Sequence, residues 1–367
     1  MNFFNPSKRA NIVRPRMMKD GRYLIAKIEG SEQERKDKKV LDTYFRYKDY
    51  MDNKEWFSAS LNEVWSPKFL GLVENIRSVP IEEVKKLEFQ NPSYSAAYRL
   101  GGDPREYSKV FTIQVSGCDF DCNYCYVPKQ INIANPKLGR YFSAKEIISY
   151  FLSAKENSKE PMNIIRISGG NPTIIPEIII DIYNEIKTQN LNVYLWIDSN
   201  LSTPKYLERL KDNLKDILNQ KNVGVVGCFK GTCKEDFSML TGADTKYYQR
   251  QFETARWFLE HKTDFYVYLP ALVYENNIEE KLTIFVKRLR EINKNLPLRT
   301  EVLEIIDYPG AKLNFERAER LGRPLPKTDQ RIVFDLWYNR ILPKFYSQEE
   351  LNKYCCETSL YEKEKTN

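Results

Sequence analysis

Short apolar runs and longer amphipathic segments alternate along the chain from about residue 109 onward. The short runs are rich in β-branched and aromatic residues, and the longer segments repeat their apolar positions at helical spacing. The pattern predicts strands at VFTIQV (110–115), NIIRIS (163–168), LNVYLWI (191–197), NVGVVG (222–227), DFYVYLP (264–270) and TEVLEII (300–306). It predicts helices between them, over 143–154, 175–188, 204–218, 248–260 and 277–293.

Six strand–helix repeats indicate an α/β fold with a parallel sheet and right-handed crossovers. Ser143 before Glu146 and Thr203 before Pro204 are predicted to cap two of the helices. An open sheet and a curved partial barrel both fit the repeats. In either one, chemistry is expected at the C-terminal ends of the strands.

The parts of the chain outside these repeats lack a sustained period. Residues 1–107 mix short apolar pieces with charges and end in the turn-forming run Gly101-Gly102-Asp103-Pro104. We therefore predict an N-terminal extension over 1–107, a core barrel over 108–325 and a C-terminal helical tail over 326–367.

The amino-acid composition limits the kinds of catalytic and metal-binding site that this chain can form. The 367 residues include seven cysteines and one histidine, so a His-rich zinc site and a pair of catalytic histidines are excluded. The cysteines are clustered, which favours metal or redox chemistry in a reducing cytosol over a disulfide framework. No signal-like segment and no apolar run of membrane-spanning length is present, so we expect a cytoplasmic protein without a membrane partner.

The strongest motif directly follows the first predicted strand. Cys118, Cys122 and Cys125 share one short loop with C-x3-C-x2-C spacing. Thiolates select iron–sulfur clusters, zinc or copper(I), and structural zinc wants a fourth ligand that is not found at finger-like distance. A cubane cluster on three cysteines leaves one iron open for a small molecule.

This loop, with Tyr124 before its last cysteine, resembles the signature of the radical S-adenosylmethionine (radical SAM) superfamily. The resemblance implies a partial (β/α)6 barrel and a [4Fe–4S] cluster held by Cys118, Cys122 and Cys125. It also implies that S-adenosylmethionine (SAM) binds at the open iron. Its reductive cleavage would give a 5′-deoxyadenosyl radical that abstracts hydrogen from a substrate.

Two later strand ends are similar to SAM-binding stretches of that superfamily. Ser168-Gly169-Gly170-Asn171-Pro172 resembles its "GGEP" stretch, with Asn171 where glutamate is usual. Asp198-Ser199-Asn200 resembles the "DTNG" stretch of glycyl-radical activases such as pyruvate formate-lyase activating enzyme. An Asx turn ahead of Thr203 also explains that second stretch.

The fourth strand end resembles the activase "DxK" stretch. Lys230 falls on the lysine that would meet the SAM carboxylate, and Cys228 replaces the aspartate. The run Glu304 to Gly310 resembles the activase ending "ELLPYH" without its histidine. The resemblance thus implies SAM contacts from Tyr124, Gly169, Gly170, Asn171, Asp198, Asn200 and Lys230.

Several functions remain open at this point. The resemblance implies a ferredoxin- or flavodoxin-type reducing partner and a protein substrate, as for activases. Residues 1–50 contain 13 Lys and Arg against 7 Asp and Glu, so RNA or a small metabolite is an alternative substrate. An iron–sulfur electron carrier or a zinc-binding module is the non-enzymatic alternative. We expect no second metal centre on Cys228, Cys233, Cys355 and Cys356.

Overall fold

A computed structural model describes the chain over residues 3–26, 57–61, 92–107, 109–159, 161–305 and 309–361. Its strands are β1 Met18–Lys19, β2 Arg22–Ala26, β3 Phe57–Leu61, β4 Lys109–Val115, β5 Gly139–Phe142, β6 Met162–Gly169, β7 Tyr194–Ser199, β8 Val223–Cys228, β9 Asp264–Pro270 and β10 Thr300–Leu303.

The helices lie mostly between successive parallel strands. They are α1 Pro6–Met17, α2 Pro92–Leu100, α3 Lys129–Asn132, α4 Ala144–Glu156, α5 Glu177–Thr188, α6 Pro204–Arg209, α7 Lys211–Leu218, α8 Lys234–Thr241, α9 Gln249–Glu260, α10 Ile278–Ile292, α11 Pro309–Arg320, α12 Gln330–Phe334 and α13 Gln348–Leu351. A π-helical stretch, Asp335–Ile341, lies between the last two.

The six predicted strands form one parallel sheet in chain order, β4-β6-β7-β8-β9-β10. The order has no reversal, so it matches a partial (β/α)6 barrel rather than a doubly wound sheet. Strands β2 and β3 pair antiparallel with β4, and β1 and β5 pair with β2. The predicted domain boundaries stay a prediction, although residues before 107 supply strands to this sheet.

The two faces of the sheet bury different side chains. Outward residues such as Ile165 and Ile167 join the large core beneath the helices. Inward residues such as Trp196 and Tyr266 form a second cluster with α2 and with Cys355 and Cys356. The N-terminal end of the barrel interior is therefore filled, and α2 and the C-terminal segment close it.

Three local predictions can be compared directly with the structure. Ser143 caps α4 through a full capping box with Glu146, as predicted. Thr203 occupies the N-cap position of α6, but its hydroxyl donates to the Thr173 carbonyl instead of capping, so that part of the prediction was wrong. The helix predicted over 204–218 is divided at Leu210 into α6 and α7.

The last parallel strand ends at Leu303, three residues before the predicted end. The middle of the Glu304–Gly310 run cannot be placed, because residues 306–308 lie outside the described part of the chain. Among the helices that are described, none combines the length and the apolar character needed to cross a bilayer.

Candidate functional site

The cysteine loop, residues 116–128, connects β4 to α3 at the C-terminal end of the sheet. Its backbone is held at several points: the Cys118 amide donates to the Asn132 carbonyl (2.8 Å), and the Asp121 amide donates to the Thr241 carbonyl (3.0 Å). All three thiols of the loop are free and partly exposed. The fold therefore presents three cysteines from one anchored loop at the end where ligands bind in such barrels.

Asp121, between the first two cysteines, anchors the loop from the other side. Arg317 donates to both of its carboxylate oxygens (2.7 and 2.8 Å), Arg323 donates at 3.1 Å, and Lys129 also forms an ion pair with it. Burial alone would raise the pKa of this carboxyl, but Arg317 and Lys129 lower it to about 2. The Asp121 carboxylate thus fastens the end of α11 and the segment just after it to the cysteine loop.

Asp119 lies beneath Cys118 in a buried network of amides and hydroxyls. Its Oδ1 accepts from the side-chain amides of Asn171 (3.1 Å) and Asn200 (2.8 Å). The Asn200 amide also lies 3.6 Å from Cys118 Sγ. Loops after three successive strands therefore meet under the first cysteine.

The side chains of Asn171 and Asn200 are committed to this network. Asn171 is fully buried, and its Oδ1 accepts from the Thr173 hydroxyl (2.8 Å). Asn200 Oδ1 accepts from the Ser202 amide (3.1 Å), which is the Asx turn that the sequence allowed. Both side chains hold the cysteine loop in place.

Gly169 and Gly170 let the end of β6 approach the cysteine loop closely. The Gly170 amide donates to the Val115 carbonyl (2.7 Å), and the next amide donates to the Gly117 carbonyl (2.8 Å). A Cβ built on Gly170 would lie 1.9 Å from the Gly117 oxygen. The missing side chain is therefore needed for contact between two protein backbones.

Asp198 is bound by a residue that the motif comparison did not include. Arg166, on the inner face of β6, donates to Asp198 through Nε (3.1 Å) and Nη2 (2.7 Å), and the Ser168 hydroxyl donates at 2.5 Å. The pair is part-exposed, with 28% of the Arg166 side chain and 13% of the Asp198 side chain accessible. Hydrogen bonds within the protein therefore already fix the position of the Asp198 carboxylate.

Lys230 reaches the cysteine loop from the end of β8. Its Nζ lies 5.7 Å from the centre of the Tyr124 ring, and its amide donates to Gln251 Oε1 (2.7 Å). Burial lowers the pKa of Lys230, but the acidic groups of Tyr124, Cys228 and Cys122 more than offset this and raise it. Lys230 is therefore a cation facing the cysteines.

The donor set fits an iron–sulfur cluster. Burial raises the pKa of the Cys122 thiol to about 12 and also raises that of Cys118, so cluster binding would release protons from these thiols. Asp119 Oδ2 and the Tyr124 hydroxyl are buried beside the cysteines with no hydrogen-bond partner among the described residues. Soft thiolates favour an iron–sulfur cluster, and the two unpartnered oxygens beside them are available to a molecule bound at that cluster.

Within the described ranges, no three His, Cys, Asp or Glu side chains converge on a single ion. A cubane cluster takes each thiolate on a different iron, so its ligands need not meet at one point. The arrangement of the loop is thus compatible with a cluster.

The other four cysteines lie in different parts of the barrel. Cys233 begins α8, where its sulfur accepts from the Asp236 amide (3.5 Å). Cys228 lies on the inner face of β8, whereas Cys355 and Cys356 are buried at the closed end of the barrel. The absence of a second metal centre stays a prediction.

Sequence reasoning missed Asp119, Asp121, Arg166 and Glu301. The first two are the acidic residues within the cysteine loop itself. Arg166 and Glu301 are charged residues inside the predicted strands NIIRIS and TEVLEII. A charge at an inward position of a buried strand was the available signal, because such charges need a partner or a function.

Comparison with known proteins agrees with this geometry. Residues 113–284 match the family described as the Radical SAM superfamily. Pyruvate formate-lyase-activating enzyme of Clostridium pasteurianum is 25% identical over 202 residues, which cover 54% of this chain and 79% of that protein.

Two solved structures of Streptococcus suis SuiB also align. The one bound to S-adenosylmethionine is 18% identical with a TM-score of 0.44, covering 64% of this chain and 48% of SuiB. The one bound to precursor peptide SuiA is 17% identical with a TM-score of 0.40, covering 79% of this chain and 58% of SuiB. The chain thus spans about half the length of SuiB.

The three-cysteine loop at the C-terminal end of the first parallel strand lies inside the matched segment. Residues 113–284 thus form a domain of the Radical SAM superfamily. Enzymes of that family use a [4Fe–4S] cluster and SAM as cofactors.

Proposed function

We propose that this chain cleaves SAM reductively at a cluster held by Cys118, Cys122 and Cys125 and that it acts on a protein substrate. The observation that carries the proposal is the anchored cysteine loop with Lys230 and the Arg166–Asp198 pair facing the same side. When bound, the reduced cluster and SAM supply a 5′-deoxyadenosyl radical that abstracts hydrogen.

The residues around the cysteine loop bind and orient SAM. Lys230 offers a cation to the carboxylate of the methionine moiety, and Gly169 and Gly170 offer backbone groups near its amino group. Asp198, held by Arg166 and Ser168, offers a fixed acceptor to SAM. Tyr124 packs beside the last cysteine, and its ring lies under the Lys230 ammonium.

Asn171 and Asn200 hold the cysteine loop in position. Their amides hold Asp119 and thereby the part of the loop that carries Cys118. A contact of either residue with SAM would use its backbone, because the side chains are bound within the protein. We propose that this hydrogen-bond network keeps the three thiols in place when the cluster is absent.

The protein substrate is supported by the curated relative, whose name states that it activates another enzyme, pyruvate formate-lyase. A ferredoxin- or flavodoxin-type protein would supply the electron. At 25% identity over 202 residues, the relative supports a protein as the class of substrate and does not identify which protein it is.

Two measurements test the proposal. Anaerobically reconstituted protein should form 5′-deoxyadenosine from SAM with dithionite, and an electron carrier or zinc module would form none. A protein that co-purifies with the chain should acquire an organic radical signal in electron paramagnetic resonance when SAM and reductant are added. A signal-free partner together with salt-sensitive RNA retention would contradict the protein substrate.

A further inference from the structure

The side chains on the inner face of the sheet differ between the closed end of the barrel and the end that carries the cysteine loop. Trp196 and Tyr266 are 0% and 2% exposed and fill the closed end. One layer higher, towards the cysteine loop, the inward side chains are part-exposed. Those residues, which we call the inner chamber, are Arg166, Asp198, Cys228, Tyr268 and Glu301.

Glu301 belongs to this layer by strand register. It pairs with Tyr268 of β9, and Tyr268 pairs with Cys228 of β8. Its neighbour Val302 is 3% exposed and joins the core under the helices, so Glu301 points to the opposite, inner face. The Glu301 carboxyl therefore lies at the level of the chamber, between the aromatic closed end and the cysteine loop.

The carboxyl of Glu301 is incompletely bound. Its Oε2 is buried and has no hydrogen-bond partner among the described residues. Arg166, the cation whose charge acts on Glu301, is engaged by Asp198 through two nitrogens. Because that pair is electrically balanced, ionised Glu301 would add a net negative charge to the chamber.

A buried acceptor without a partner costs free energy, and a ligand that supplies a donor recovers it. We propose that Glu301 is the substrate-binding residue of the inner chamber and that it takes a nitrogen cation, an ammonium or guanidinium group, of the substrate. This assignment rests on the proposed function and names the chemical class that the proposed protein substrate would present.

The position of Glu301 also orients the ligand. The closed end behind it is filled by Trp196 and Tyr266, so the remainder of a bound substrate extends towards the cysteine loop. A cationic side chain anchored at Glu301 would thus hold its carbon chain beneath the proposed radical source. Glu301 fixes which part of the substrate reaches that position.

The titration of Glu301 supports the same assignment. Burial raises its pKa to about 8, and the charge of Arg166 offsets only part of that effect. The groups that face it are Arg166 on β6, Tyr268 on β9 and Cys355 on the C-terminal segment. Below about pH 8 a cation must displace a proton to bind, whereas above it the carboxylate is ready.

The test uses the full chain, with n-butylammonium and methylguanidinium as probes and n-butanol as a neutral control. Ligand-induced thermal stabilisation gives an apparent affinity at each pH. For wild-type protein we expect saturable stabilisation by a cation, with affinity rising about tenfold per pH unit up to about pH 8 and levelling above it. The preferred cation distinguishes a lysine-type from an arginine-type substrate group.

Glu301→Gln keeps the shape and removes the charge, so the affinity should fall at least tenfold and lose its pH dependence. Glu291→Gln, an exposed substitution on α10, is the charge-matched control and should behave as wild type. Equal binding by Glu301→Gln, pH-independent binding by wild type, or equal stabilisation by n-butanol would overturn the assignment. If Glu301→Gln does not fold, the wild-type pH profile still decides.

The same preparation is assayed for 5′-deoxyadenosine formation from SAM. Cleavage without pH-dependent cation binding would reject the substrate class and leave the proposed function standing. Failure of SAM cleavage would reject the proposed function itself, whatever the cation result.

Discussion

Individual charged side chains decide how the cysteine loop is held. Asp121 is 9% exposed and has four cations within 4 Å, whereas half of the ion pairs in the described part of the chain join two exposed groups. Removing one member of a buried ion pair leaves uncompensated charge and is costly, but exposed pairs contribute little. The acidic residues of the loop should therefore matter to stability nearly as much as the cysteines matter to chemistry.

Asp121→Asn should lower the free energy of unfolding by roughly 3 kcal/mol, because Arg317, Arg323 and Lys129 lose their shared carboxylate. Chemical denaturation of the metal-free protein measures it. Asp212→Asn removes an exposed pair with Lys215 and should stay within about 0.5 kcal/mol of wild type. Equal effects of the two substitutions would show that Asp121 does not anchor the loop.

At the ends of helices and strands, local sequence rules predicted some contacts and not others. The serine at 143 caps α4 as its pattern predicts, since Glu146 completes the capping box. The threonine at 203 is 2% exposed and binds the loop after β6 instead. Tertiary contacts between strand ends override a local capping preference where those ends meet.

Ser143→Ala should destabilise the protein by about 1 kcal/mol through loss of the α4 cap. The Ser143→Thr variant keeps a hydroxyl acceptor and serves as the matched control. Thermal unfolding of both variants checks the prediction. A threonine variant as unstable as the alanine variant would mean that the hydroxyl acceptor is not what stabilises the helix.

Gly170→Ala should break the contact between the end of β6 and the cysteine loop. Its Cβ meets the Gly117 carbonyl, a backbone atom that cannot turn away, so we expect a cost of roughly 3 kcal/mol and reduced iron loading.

Gly21→Ala is the control for this substitution, because its Cβ meets nothing within 4 Å and only its positive φ is unfavourable. Iron analysis after anaerobic reconstitution compares the two variants. Full iron loading of Gly170→Ala would contradict the close approach of the two loops.

Over the whole molecule, the sequence predicted the barrel and its three-cysteine loop well. Period-2 and helical patterns are local, and C-x3-C-x2-C lies in one loop, so both can be read without tertiary information. The inner chamber could not be read, because Arg166, Asp198 and Glu301 come from three strands that meet only when the sheet forms. The same is true of Asp121, whose partners Arg317 and Arg323 lie about 200 residues away.

The two ends of the barrel have different roles: one is closed by packing, and the other carries the candidate site. The lone histidine, His261, stacks on Trp257 at the end of α9, before β9 begins, and takes no part in the site. The aromatic cluster closes that N-terminal end, and the cysteine loop occupies the other. Among the described residues, the end of the barrel that is left open is therefore the one that carries the cysteine loop.

The proposed function depends above all on the binding of the SAM-cleaving cluster by Cys118, Cys122 and Cys125. The direct measurement is 5′-deoxyadenosine formation, with iron content, for Cys118→Ala beside Cys233→Ala, which changes a cysteine outside the loop. We expect about four irons per chain and SAM cleavage in wild type and Cys233→Ala, and neither in Cys118→Ala. Continued SAM cleavage by Cys118→Ala would show that these three cysteines do not hold the cluster.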